Sequence, residues 1–208
     1  MELELFDEVR DRLQQTGFTP TMQTKISLFI TAAKNANALF LSAVELRPFI
    51  GAEHQLLHSQ YFQEMESILL LAKVTRWVSD PRVYTESVTI AAPLWNEWRL
   101  KLGFFGLSAL DPRAFYQGLA LGHALLSQLK MSPIIPGDAD PADPYVTALR
   151  RIEADNARMI QTQINLLRTV APALPSEERE ALIEEKQETI KHTFINFLQW
   201  LLKDAPAA

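Results

Sequence analysis

Residues 144–170 read PYVTALRRIEADNARMIQTQINLLRTV, and this stretch decides the fold class. Leu149, Ile152, Met159, Ile160, Leu166 and Leu167 recur at steps of three and seven, the period of one helix face. Asp143-Pro144 opens the run. The carboxylate can cap the first turn, and Pro fits position N1, where its missing N–H is not needed. A helix over 144–170 spans about 40 Å. A globule of 208 residues is only about 43 Å across. The helix must cross the whole molecule, so the architecture is one of long helices packed side by side.

The rest of the chain repeats the pattern. Helices are predicted over 2–15, from Met22 to Leu46, over 52–79, 81–92, 94–102 and 112–130, and from Ser176 to Lys203. Asp80-Pro81 and Asp111-Pro112 repeat the Asp-Pro start, and Thr19-Pro20 is a variant of it. Ser176 is the expected N-cap of the last helix, with Glu177, Glu178 and Glu180 suiting its positive end. Pro93 must end or kink its helix. Pro133, Pro136, Pro141 and Pro144, interleaved with Asp138, Asp140 and Asp143, make 131–143 a long loop. The loop either crosses the bundle or separates two subdomains. No strand pattern competes. The expectation is an all-α, single-domain helical bundle over 1–208, with six or seven helices and long antiparallel neighbours.

Composition removes many functions. The chain has no Cys, which excludes disulfides, thiolate-ligated zinc, iron–sulfur clusters and a thiol nucleophile. Only 7 residues are Gly, about half the usual share, and no Gly-rich phosphate loop, nucleophile elbow or EF-hand loop is found. The balance of 20 basic and 25 acidic residues argues against nucleic-acid binding, which depends on neutralising phosphates. No run approaches about 18 apolar residues, and Met1-Glu2-Leu3-Glu4-Leu5 is not a signal peptide. A cytoplasmic protein without a membrane span is expected.

Several constellations could carry chemistry. Glu53, His54 and His58 form a candidate metal set, because histidines four apart share a helix face. Glu64, His123 or His192 could complete it only through tertiary contact, and two ordinary surface histidines are the plainer reading. Gly118 and Gly122 share a face on the 112–130 helix, with Ala114 in line and His123 following. Two mid-helix glycines cost about 1 kcal/mol each, so something must approach closely. The occupant is a packed helix or a flat cofactor such as a tetrapyrrole, with His123 at hand.

Trp95 and Trp98, with Arg99, Phe104 and Phe105, make an aromatic, cationic cluster suited to core, pocket or partner surface. Arg150, Arg151, Arg158 and Arg168 alternate with Glu153 and Asp155, as on a solvated face. Asn156 falls inside an apolar stripe, with Gln163 seven residues on, a pattern that can fix register. From Phe194 to Leu202 the chain is apolar almost all round, so Phe197, Trp200 and Leu201 belong either to the core or to a partner surface.

Nothing in this set points to catalysis. The preferred expectation is a non-catalytic interaction protein (an adaptor, assembly chaperone or regulator) that binds another protein or itself as a homodimer. The alternative is a bundle that holds a metal, a tetrapyrrole or another apolar cofactor, through His54 and His58 or the Gly118/Gly122 face, for redox chemistry among other uses. A ligand-sensing regulatory domain is a third, weaker option.

Overall fold

A computed structural model describes residues 2–45, 53–102, 112–170 and 175–203. Among them are seven helices and no strand: α1 (Glu2–Thr16), α2 (Pro20–Glu45), α3 (Glu53–Val74), α4 (Pro81–Leu102), α5 (Pro112–Gln128), α6 (Pro144–Val170) and α7 (Ser176–Leu202). The fold is an all-α helical bundle. No helix of the described residues is long and apolar enough to cross a membrane.

Local chemistry sets the helix starts. Asp80 Oδ1 accepts from the Arg82 N–H at 2.9 Å, and Asp143 Oδ1 from the Tyr145 N–H at 2.7 Å. Thr19 Oγ1 takes the Met22 N–H at 3.3 Å. The last helix departs from expectation. It begins at Ser176, and its N-cap is Pro175, which makes no side-chain cap bond. Pro175 lies at φ −56° and ψ 146°, an extended conformation, so the flanking position falls to Pro and Ser176 enters the first turn.

The larger differences concern α3 and α4. α3 stops at Val74 instead of 79, because α2 takes the next N–H groups: Gln23 Oε1 accepts from Arg76 at 2.9 Å and Thr24 Oγ1 from Val78 at 3.0 Å. α4 runs unbroken through Pro93. Pro93 and Thr89, one turn before it, both face solvent, so the carbonyl freed by Pro can be hydrated.

α2 and α5 are buried on nearly every side. α2 packs on α3, α4, α5 and α7; α5 packs on α6 and α7 as well as α4 and α2; α1 covers α7. The loop at 131–143 is a chain of turns that folds Met131, Ile134 and Ile135 into the same core cluster as the helices on either side.

The end of α7 lies in that core. The Phe29 ring stacks on Phe197 with centroids 4.0 Å apart, and Phe194 sits between Phe6 and Phe29. Buried Lys25 donates to the Trp200 carbonyl at 2.9 Å, placing a cation at the negative end of the helix. Trp200 Nε1 donates to Glu86 of α4 at 2.7 Å. Of the two expectations for Phe197, Trp200 and Leu201, the core is the one found, and the partner surface is corrected. α1, α2 and α4 already cover them, and they keep 0%, 4% and 0% of their area in water.

Candidate functional site

The glycine face is filled by protein. A Cβ on Gly118 would stand 2.2 Å from Cε2 of Phe40, so the α2 ring occupies that notch. A Cβ on Gly122 would meet Asn37 Oδ1 at 2.7 Å and Gln163 Nε2 at 2.8 Å. The expectation that Gly118 and Gly122 hold a cofactor is corrected: the close approach comes from side chains of α2 and α6. The side chain of Ala114 lies outside the described residues.

Of the two histidines, only the His58 side chain is among the described residues. His58 is exposed, with its ring edge-on to Phe62 at 4.7 Å. The side chains of Glu53 and His54 lie outside the described residues. Glu64 is fully buried in another network, and His192 is exposed on α7. Among the described residues no three His, Asp or Glu side chains come together as metal ligands. Trp95 is half-buried against the core, whereas the side chains of Trp98 and Arg99 lie outside the described residues.

Among the described residues, two polar regions inside the bundle contain buried side-chain atoms without a hydrogen-bond partner and bear on a site. The first is closed. Lys34 of α2 and Glu64 of α3 form an ion pair at 2.5 Å, with both side chains 0% exposed. Lys34 also donates to Asn156 Oδ1 at 2.8 Å, and Asn37 Nδ2 donates to the other Glu64 oxygen at 2.6 Å. Asn156 Nδ2 reaches the Leu129 carbonyl at 3.4 Å. The charges are thus joined to each other and to two amides. Around them, Asn37 Oδ1, Gln60 Oε1 and both polar atoms of Gln163 are buried without a hydrogen-bond partner.

The second region is a cleft of about 320 Å³ between α5, α6 and α7. Each helix contributes one stripe. Tyr116 and His123 lie two turns apart on α5; Ile164, Leu167 and Arg168 follow helical spacing on α6; Ser176, Glu180 and Ile183 do so on α7. A step of about 100° along α5 separates His123 from Gly122, which turns the imidazole away from α2 and into the cleft. Tyr116, Ile164, Leu167 and Ile183 supply apolar walls, while Arg168, Ser176 and Glu180 are exposed at the rim.

His123 adds an imidazole to those walls. Its Nδ1 is buried and has no hydrogen-bond partner. Burial disfavours the imidazolium and lowers the pKa below the usual histidine value. Near neutral pH the ring is therefore uncharged, able to donate or accept at Nδ1 according to its tautomer.

The sequence singled out His123 for a different face and passed over the stripes from α6 and α7. The available signal was the helical spacing of 164, 167 and 168 and of 176, 180 and 183. Reading it requires knowing how the two helices are rotated toward α5. No protein-family model, no curated protein and no solved structure matches the chain. The fold and the cleft therefore stand on this chain's own residues.

Proposed function

We propose that this protein is a non-catalytic, ligand-binding helical bundle that takes a small, mainly apolar organic molecule into the α5–α6–α7 cleft. One observation carries the reading: His123 Nδ1, buried and unpartnered, in the wall of a cleft of about 320 Å³ lined by Tyr116, Ile164, Leu167 and Ile183. Ligand sites are commonly concave and apolar, with a few polar groups that fix orientation, and volumes start near 300 Å³. Buried polar atoms are nearly always hydrogen-bonded; Nδ1 is covered as the ring stands, and a turn of the imidazole toward the cleft would let a ligand hydroxyl or carbonyl supply the missing bond. The apolar-cofactor expectation is thereby moved from the glycine face to the next residue on the helix.

A second reading, an adaptor, assembly chaperone or regulator that pairs with itself, draws on α3. Phe62 and Leu69 are 51% and 66% exposed and lie seven residues apart, on one face. Two copies packed antiparallel along α3 would set Phe62 of each against Leu69 of the other.

One experiment separates the readings: a methyl and imidazole NMR titration of the full chain with 1-naphthol, an apolar probe bearing one hydroxyl. Saturable shifts are expected at Ile164, Leu167, Ile183 and the His123 ring. No saturable shift there at millimolar probe would sink the ligand-binding reading. Broadening that depends on protein concentration and is confined to α3 would favour the second.

A further inference from the structure

We infer that the ligand of this cleft is a zwitterion, an α-amino acid with an apolar side chain or a close chemical equivalent. The inference rests on the ligand-binding reading of the cleft. Its own basis is the pair of opposite charges at the rim. Arg168 stands on α6 and Glu180 on α7, and both line the same opening. Among the described residues no ion pair joins them. Each stands on its own helix, and both line the cleft.

A neutral ligand would leave both charges to water and gain only from the apolar walls. A monoanion would be drawn to Arg168 but repelled by Glu180, and a monocation would meet the reverse. A carboxylate and an ammonium on one carbon satisfy both sides together. Orientation follows from the charge of the two walls. The start of α7, residues 177–180, reads EERE, with three glutamates and one arginine. Of these residues Glu180 lines the cleft, and its full charge outweighs the partial positive charge of about half a unit at a helix N-terminus. The ammonium therefore faces α7 and the carboxylate faces Arg168, whose planar fork can bind it through two parallel hydrogen bonds. The apolar side chain then points down onto Ile164, Leu167 and Ile183, beside His123.

The test uses four small probes in the same methyl NMR titration of the full chain. L-phenylalanine carries both charges, hydrocinnamate only the carboxylate, phenethylamine only the ammonium, and hydrocinnamyl alcohol neither. L-phenylalanine is expected to bind tightest. Each analogue that lacks one charge should be weaker by about twofold to fivefold, the scale of one solvent-exposed ion pair.

Two variants at exposed positions assign the charges. Arg168→Gln should weaken L-phenylalanine and hydrocinnamate but not phenethylamine. Glu180→Gln should weaken L-phenylalanine and phenethylamine but not hydrocinnamate. If all four probes bind equally, or if either monocharged probe binds tightest, the zwitterion inference is overturned while the cleft stands as an apolar site. If none of the four, the neutral alcohol included, gives a saturable shift at Ile164, Leu167 and Ile183, the ligand-binding reading itself fails.

Discussion

The closed polar centre and the open cleft both put polar atoms inside an apolar bundle, but they resolve the conflict in opposite ways. At the centre, Lys34 and Glu64 are out of water and joined to each other, to Asn37 and to Asn156. The notch left by Gly122 beside them holds the amide ends of Asn37 and Gln163. In the cleft, His123 Nδ1 has no protein partner, Arg168 and Glu180 are not joined, and about 320 Å³ stands open beside them. A polar group whose partners the chain supplies specifies the fold. A polar group without a partner, next to room, is where a second molecule can add something.

The largest effect is expected at the centre. Lys34→Met leaves the Glu64 carboxylate buried with only Asn37, and a half-removed buried pair costs about 3–5 kcal/mol. The double variant Lys34→Met/Glu64→Leu leaves no charge behind and should recover part of that loss. Recovery stays incomplete because Asn37 Nδ2 and Asn156 Oδ1 then lack partners. Urea midpoints at constant slope measure both effects. A loss below about 1 kcal/mol for Lys34→Met would mean that the pair is solvated, and the contrast between a closed and an open region would go with it.

A smaller effect of opposite sign is expected at Gln163. Gln163 is 0% exposed and neither of its polar atoms has a partner. Gln163→Met keeps the shape and the helix propensity while removing the unmet polar atoms, so it should stabilise the fold by about 1 kcal/mol. The readout is again the urea midpoint. Destabilisation by a similar amount would show that Gln163 bonds a trapped water, which would make the centre a wet site.

The sequence exposes these features unevenly, and the reason is distance along the chain. The Asp-Pro starts at 80 and 143 are legible because cap and helix are neighbours, and the structure places both carboxylates on the expected N–H groups. The end of α3 is not, since Gln23 and Thr24 decide it from α2. Asn156 and Gln163 announce themselves as polar residues in an apolar stripe, and both are buried. Lys34 gives no such sign, because Lys on a helix is nearly always solvated and its partner Glu64 lies on another helix. The two glycines report by their cost that something comes close, while Phe40 and Asn37 decide what it is. His123 is visible as a polar group on an apolar helix. The cleft around it depends on the relative rotation of three helices, which no local pattern encodes.

The smallest expected effect lies in the cleft, and its sign follows from burial. The His123 pKa is lowered in the folded protein, whereas the unfolded chain has the ordinary histidine value of about 6.5. Between the two values the unfolded chain takes up a proton that the folded chain refuses. Linkage then makes stability fall as pH drops through about 6.5 and level off below the folded pKa. His123→Leu removes that proton and keeps the apolar wall. Urea unfolding from about pH 8 down to about pH 5 should therefore show the wild type losing stability on acidification by more than the variant. The direction also separates burial from charge pairing: an imidazolium held by Glu180 would raise the folded pKa and stabilise the wild type in acid. Parallel curves would mean a ring solvated in both states, with Nδ1 already bonded to water and nothing left for a ligand to satisfy.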